Sequence, residues 1–65
     1  MGIVLTVYVH ARIEKGEMIV RRQNGNIVVF DDYDSASRSC SGVNGRILDE
    51  NKHYSVMESK LSITS

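Results

Sequence analysis

The sequence predicts a small α+β fold, in which one short helix packs on one face of a small antiparallel sheet in the order β-β-β-α-β-β. Three observations lead to this prediction: an alternating apolar run at the start of the chain, an Asn-Gly turn signal between two β-branched runs, and an acidic, serine-containing segment after them. Runs of strands combined with a single helix are typical of this class. At 65 residues, the chain is expected to form a single small α+β domain over residues 1–65.

The first predicted strand covers residues 3–13, where apolar and polar side chains alternate. The odd-numbered positions of this run are all apolar, and the other side carries Tyr8, His10 and Arg12. Alternation of this kind, with Val4 as the exception on the other side, is typical of a strand with one buried and one solvated face. We therefore expect the Tyr8, His10 and Arg12 side chains to lie on a solvated sheet face.

A β-hairpin is predicted around Asn24-Gly25, because both central residues of a type I′ turn need positive φ and this dipeptide accepts it readily. Strand 2 then covers residues 18–23 and strand 3 residues 26–31. The predicted cross-strand pairs are Gln23–Asn26, Arg22–Ile27, Arg21–Val28, Val20–Val29 and Ile19–Phe30.

The three strands are expected to form a meander with strand 2 in the middle, since residues 15–17 read as a short polar turn with Gly16 at positive φ. Strand 3 is apolar on both sides, which predicts that both sides are covered. One cover is expected to be the helix, and the other a partner subunit or the C-terminal segment.

The helix is predicted to enter at residues 31–35, where acidic side chains and a serine can cap a first turn. Its inner side is expected to carry Tyr33, Ala36, Cys40 and Val43, and Gly42 or Gly45 would end it. Alternating serines shorten the expected helix to about two turns. Two strands should follow at residues 46–48 and 53–58, and residues 60–64 either extend the last strand or pack as an ordered tail.

The composition argues against several functional classes. Eight basic and eight acidic residues cancel, whereas dedicated nucleic-acid binders usually carry a basic excess. The single cysteine predicts a reducing, cytoplasmic setting rather than a disulfide scaffold, and no apolar run predicts a signal peptide or membrane span. We expect no cofactor and no metal, because one cysteine and two scattered histidines lack the spacing of a zinc site.

No catalytic constellation stands out in the sequence. Cys40 lacks a local nucleophile signature, although His10 or His53 could act as its base, and the chain is therefore expected not to be an enzyme. The acidic cluster Asp31, Asp32 and Asp34 lacks the glycine and distal glutamate of a calcium loop. Helix capping explains it better.

The leading hypothesis is a non-enzymatic protein-binding module, expected to be a homodimer, that occupies a surface of a larger host protein. The residues expected to contribute contacts are Tyr8, Arg12, Arg21, Arg22 and Tyr54. The alternative is a nucleic-acid-binding accessory protein that uses a sheet face formed by Tyr8, His10 and Arg12, with Arg38 or Arg46 nearby. This architecture is similar to that of many phage or mobile-element accessory proteins and of some inhibitors of bacterial defence systems, a resemblance of architecture without a shared motif.

Overall fold

A computed structural model describes residues 2–64 of the chain, which form strands, one helix and one 3₁₀ turn. In chain order these are β1 (Gly2–Glu14), β2 (Glu17–Val20), β3 (Arg22–Gln23), β4 (Asn26–Ile27), α1 (Tyr33–Asn44), the 3₁₀ turn (Glu50–Lys52) and β5 (Ser55–Thr64). The structure confirms the predicted α+β class, with one helix and a small antiparallel sheet.

The main sheet has the strand order β2-β1-β5, so the first strand lies at its centre. β1 pairs antiparallel with β5 over residues 2–11 and with β2 over residues 11–14. The predicted meander with strand 2 in the middle is therefore wrong. Pairing between the first and last strands is a non-local contact, which turn signals and local periodicity do not encode.

Both predicted turns use a left-handed residue pair. Lys15 and Gly16 have φ angles of 52° and 80°, and Asn24 and Gly25 have φ angles of 54° and 83°. These are the conformations that type I′ turns require. The second turn also confirms the innermost predicted register, with Arg22 opposite Ile27 and Gln23 opposite Asn26.

The hairpin is shorter than predicted, because both of its arms return to β1. Val20 already pairs with β1, and the Phe30 backbone exchanges two hydrogen bonds of 2.9 Å with Tyr8. The predicted Val20–Val29 and Ile19–Phe30 pairs are therefore wrong. After β2 the chain leaves the edge of the main sheet, forms the short hairpin and returns to β1 at Phe30. We call the segment between β2 and Phe30, residues 21–29, the excursion.

The helix has 12 residues, about three turns rather than the two predicted. Asp32 is its N-cap, with the side chain accepting a hydrogen bond from the Ser35 amide at 2.9 Å, and Gly45 is its C-cap. Ala36 and Cys40 are buried on the predicted inner side, whereas Tyr33 is exposed.

The link from the helix to β5 differs from the prediction at residues 46–48, which form no strand. The Ile47 amide instead continues the turn after the helix, donating to the Asn44 carbonyl at 3.0 Å. The Asn44 side chain then binds the Tyr54 backbone twice, accepting from its amide at 2.8 Å and donating to its carbonyl at 2.9 Å. This clamp leads into β5, which extends through residues 60–64.

Candidate binding face

One face of the sheet is built from the odd-numbered side chains of β1. The antiparallel register aligns them with side chains of β2 and β5, because directly opposed residues point to the same side. We call this surface the apolar face, and it consists of Ile3, Leu5, Val7, Val9, Ala11, Ile13, Met18, Val20, Ser55, Met57, Ser59, Leu61 and Ile63.

Most of the apolar face is open to solvent, because the helix packs on the opposite side of the sheet. Ile13, Ile3 and Met18 are 66%, 60% and 56% exposed, and Leu5, Met57, Leu61 and Ile63 are exposed as well. Val7, Val9 and Ala11, near its centre, are buried. Monomeric soluble proteins rarely expose so continuous an apolar surface, and those that do usually bind something with it.

A groove of about 270 Å³ runs along the apolar face. Its floor includes Val7 and Val9, and Ile27 and Val29 from the excursion between β2 and Phe30 also line it. Both of these excursion residues are exposed. The predicted second cover over strand 3 therefore does not come from the C-terminal segment, and the apolar side of the excursion stays open.

The apolar face carries no ionisable side chain within residues 2–64. Ser55 and Ser59 are its polar members. Lys60 follows Ser59 in the strand but points to the opposite side, where its amine donates to the Thr6 hydroxyl at 2.7 Å. A partner that bound such a face would do so through apolar burial and shape rather than through charge pairs.

Two strand edges beside the apolar face are also unpaired within the described part of the chain. β5 lies at one side of the sheet, and on the other side β1 is not paired over residues 2–6. The long β1–β5 ribbon makes the molecule elongated, with extents of 44 × 26 × 21 Å. Open edges of this kind can add a strand from another chain.

The helix packs on the face that carries the even-numbered side chains of β1, contrary to the expectation of a solvated surface. His10 is completely buried there. Its Nε2 lies 2.8 Å from the Ala36 carbonyl oxygen, its Nδ1 accepts from the Arg21 Nε at 3.1 Å, and its ring stacks on Phe30. The predicted Tyr8–His10–Arg12 stacking platform is therefore covered rather than open.

The structure brings together only two of the five predicted contact residues. The Arg12 guanidinium lies over the Tyr54 ring, 4.7 Å from its centroid. Tyr8 instead packs edge-on against Tyr33, Arg21 turns inward to His10, and Arg22 is exposed on the short hairpin. These five residues do not form one continuous patch.

The Arg12 side chain belongs to a charged cluster at the end of β1. It donates to the Glu14 carboxylate at 3.5 Å and to the Lys52 carbonyl at 3.4 Å, while the Lys52 amine pairs with the same carboxylate. The hydrogen bond and positive charge of Lys52 hold the pKa of Glu14 below its usual value, with Arg12 adding to the effect. The cluster satisfies most of its own charges and holds the 3₁₀ turn against β1.

Cys40 is buried between the helix and the start of β5. Its thiol donates to the Tyr54 carbonyl at 3.2 Å, and burial raises its pKa above the usual value. Neither histidine ring hydrogen-bonds to it, since His10 and His53 bind Arg21 and backbone carbonyls instead. The predicted position of Cys40 on the inner side of the helix is confirmed.

A second cleft, of about 350 Å³, lies between the hairpin base and the helix. We call it the arginine cleft, and it is lined by Arg21, Gln23, Ser39, Gly42, Val43 and Arg46. Neither arginine forms an ion pair within residues 2–64, whereas Arg38 pairs with Asp34 at 3.0 Å. Guanidinium groups of this kind suit an anionic ligand.

The described part of the chain holds no group of three or more histidine, cysteine or acidic side chains placed to bind a metal ion. It also contains no helix that is long and apolar enough to cross a membrane. Comparisons with protein-family models, with curated proteins and with solved structures find no match for this chain.

Sequence reasoning missed that the apolar face stays open to solvent, although part of its signal is present in the sequence. The β1 alternation predicts a half-buried strand, with its apolar side buried and its polar side solvated. Periodicity identifies which side chains share a face but not which element covers it. Met57, Leu61 and Ile63, at odd-numbered positions of the last strand, are the additional indication that this face continues onto β5.

Proposed function

We propose that this chain is a small non-enzymatic protein-binding module and that the apolar face is its contact surface. The observation that supports it is an open sheet face without an ionisable side chain, on which side chains such as Ile3, Leu5 and Ile63 remain exposed while the helix covers the other side. Surfaces of this kind are typical of protein interfaces. The free Cys40 thiol fits a reducing compartment, and we propose the cytoplasm.

Such a module acts by occupying a surface of its partner. This mode of action fits an accessory protein or inhibitor of the kind found in phages and mobile elements. The architecture of this chain is similar to that of such proteins. The exposed Arg22, which lies outside the apolar face and is paired with the groove-lining Ile27, would contribute at its rim.

The proposal is tested by a pull-down from the native host's lysate with three forms of the tagged chain. The face variant Leu5→Lys/Leu61→Lys introduces two charges at a directly opposed pair on the apolar face. The control Val4→Lys/Ser62→Lys introduces the same two charges at the neighbouring pair on the opposite side. Protein captured by the parent and the control but lost with the face variant supports the proposal, and equal capture by all three forms contradicts it.

Nucleic-acid binding is the second candidate, and the arginine cleft is the observation that favours it. Arg21 and Arg46 line that cleft without an ion-pair partner among the described residues. Binding there should weaken steeply as salt rises and should be lost in Arg46→Gln. Titration of labelled single- and double-stranded oligonucleotides at several salt concentrations decides it. Absent or salt-insensitive binding removes this candidate.

A further inference from the structure

We infer that the occupant of the apolar face is a second copy of this chain, packed face to face about a two-fold axis. The inference rests on the proposed function, because it names the partner of the same surface. In a two-fold interface the same patch meets itself, so the patch must be self-complementary. Two sheets stacked in this way lie about 10 Å apart with interdigitating side chains.

The charge distribution favours a second copy. A face that carried charges would place like charges opposite each other when it met itself, which is costly in an interface core. The apolar face has none, and the nearby Lys60 and Glu58 pair with each other on the opposite side. Self-association therefore desolvates no ionised group of this face.

The dimensions of the apolar face fit a small dimer interface. The 13 residues of β1 give it a length of about 43 Å at about 3.3 Å per residue, close to the longest extent of the molecule, 44 Å. Three strands lie side by side only at Ala11, so most of the face is two strands or about 10 Å wide, and its flat projection is about 430 Å². Ile27 and Val29, which line the same groove, widen it beside Val7 and Val9. Side-chain relief raises the accessible area toward the roughly 600–800 Å² that each partner contributes to a stable interface.

The small core of a single copy also favours a second copy as the occupant of the apolar face. The buried apolar side chains of the described chain are Val7, Val9, Ala11, Ala36 and Cys40. Chains of about this size bury too little surface to be robust alone, and oligomerisation is a common remedy. Face-to-face packing would make the apolar face the centre of a shared core. Pairing through the β5 edge would instead leave that face in water.

The test is the mass of the parent, the face variant and the control by sedimentation velocity over a concentration series up to high micromolar. We expect the parent and Val4→Lys/Ser62→Lys to reach twice the 7.3 kDa chain mass. Leu5→Lys/Leu61→Lys should dimerise at least about 100-fold more weakly, because its lysines would be buried without partners. Circular dichroism checks that all three are folded. Isotope-filtered NOEs between Leu5 or Leu61 methyls of two differently labelled parent copies test the contact without a mutation.

The outcomes separate the inference from the proposed function. A dimer that survives in the face variant, or that lacks those NOEs, indicates edge pairing and overturns the inference. The inference is also overturned if the parent is monomeric and captures a protein that the face variant does not capture. In that case the proposed function stands. A monomeric parent whose capture is unaffected by the face variant contradicts both.

Discussion

His10 joins the central strand to the helix through the Ala36 carbonyl oxygen, which lies 2.8 Å from its Nε2. Since Nδ1 accepts from Arg21 Nε at 3.1 Å, Nε2 carries the proton that is donated to Ala36. One completely buried ring thus satisfies two polar groups and also stacks on Phe30, with the ring centroids 5.0 Å apart. A polar side chain of β1 thereby holds the helix on the sheet.

Replacing this ring should be among the most destabilising single changes in the chain. His10→Ala removes both hydrogen bonds and leaves a cavity beside Phe30, so we expect a loss of about 2–4 kcal/mol in the free energy of unfolding. Urea denaturation followed by circular dichroism measures it. His10→Gln keeps a donor for Ala36 and should lose less than His10→Ala.

His53→Ala is the matched control for His10. It removes a similar bond, from Nε2 to the Ile47 carbonyl oxygen at 2.8 Å, but at a half-buried site, so about 1 kcal/mol is expected. A His10→Ala variant no less stable than His53→Ala would show that His10 is not the main link between helix and sheet.

Local signals predicted much of the fold. The Asn24-Gly25 pair predicted the turn and the innermost register of the hairpin, because these two residues themselves adopt the positive φ angles that the turn requires. The alternation from Ile3 to Ile13 predicted β1, and Asp32 lies in the segment predicted to cap the helix. In each case the physical cause lies within a few residues.

The rest depends on contacts between distant segments. Nothing local to Phe30 indicates that its backbone bonds to Tyr8 rather than to Ile19. Likewise, the polar side of β1 was expected to be solvated, yet His10 has partners in the helix and beside β2 that satisfy its ring and permit burial. The apolar face stays open as a result, and the sequence alone does not show this because periodicity does not identify which face the helix covers.

The buried Cys40 thiol predicts a specific dependence of stability on pH. Because burial raises its pKa in the folded chain, the folded state keeps the proton to higher pH than the unfolded state does. Its contribution to stability is therefore complete below the unfolded pKa of about 8.5 and is lost as pH rises through the higher folded value.

Cys40→Ser is the variant that isolates this effect, since serine can still donate to the Tyr54 carbonyl but does not ionise in this range. We expect the stability of the parent to fall relative to Cys40→Ser as pH rises above about 8.5. Urea denaturation of both forms at several pH values measures the difference. If the difference in the free energy of unfolding between the parent and Cys40→Ser stays constant as pH rises, a buried, protonated thiol is ruled out.

The Asp32 cap predicts how the helix responds to mutation and to acid. Its side chain accepts from the Ser35 amide at 2.9 Å, so Asp32→Ala leaves that amide without its cap and should lower Tm by about 4–8 °C. Asp32→Asn keeps an oxygen acceptor and should lose much less. The adjacent, exposed Asp31→Ala is the control and should leave Tm nearly unchanged.

Acid should remove the same contribution from the parent. The hydrogen bond from Ser35 holds the pKa of Asp32 below its usual value, so its stabilisation is complete above about pH 4 and is lost as pH falls through the folded value. The parent should therefore lose its advantage over Asp32→Ala in this range, while Asp32→Asn keeps its own advantage because an amide does not titrate. Thermal unfolding of the three forms between about pH 2 and 6 measures this. If the difference in Tm between the parent and Asp32→Ala is the same at both ends of this pH range, the stability of the parent does not depend on the charged cap.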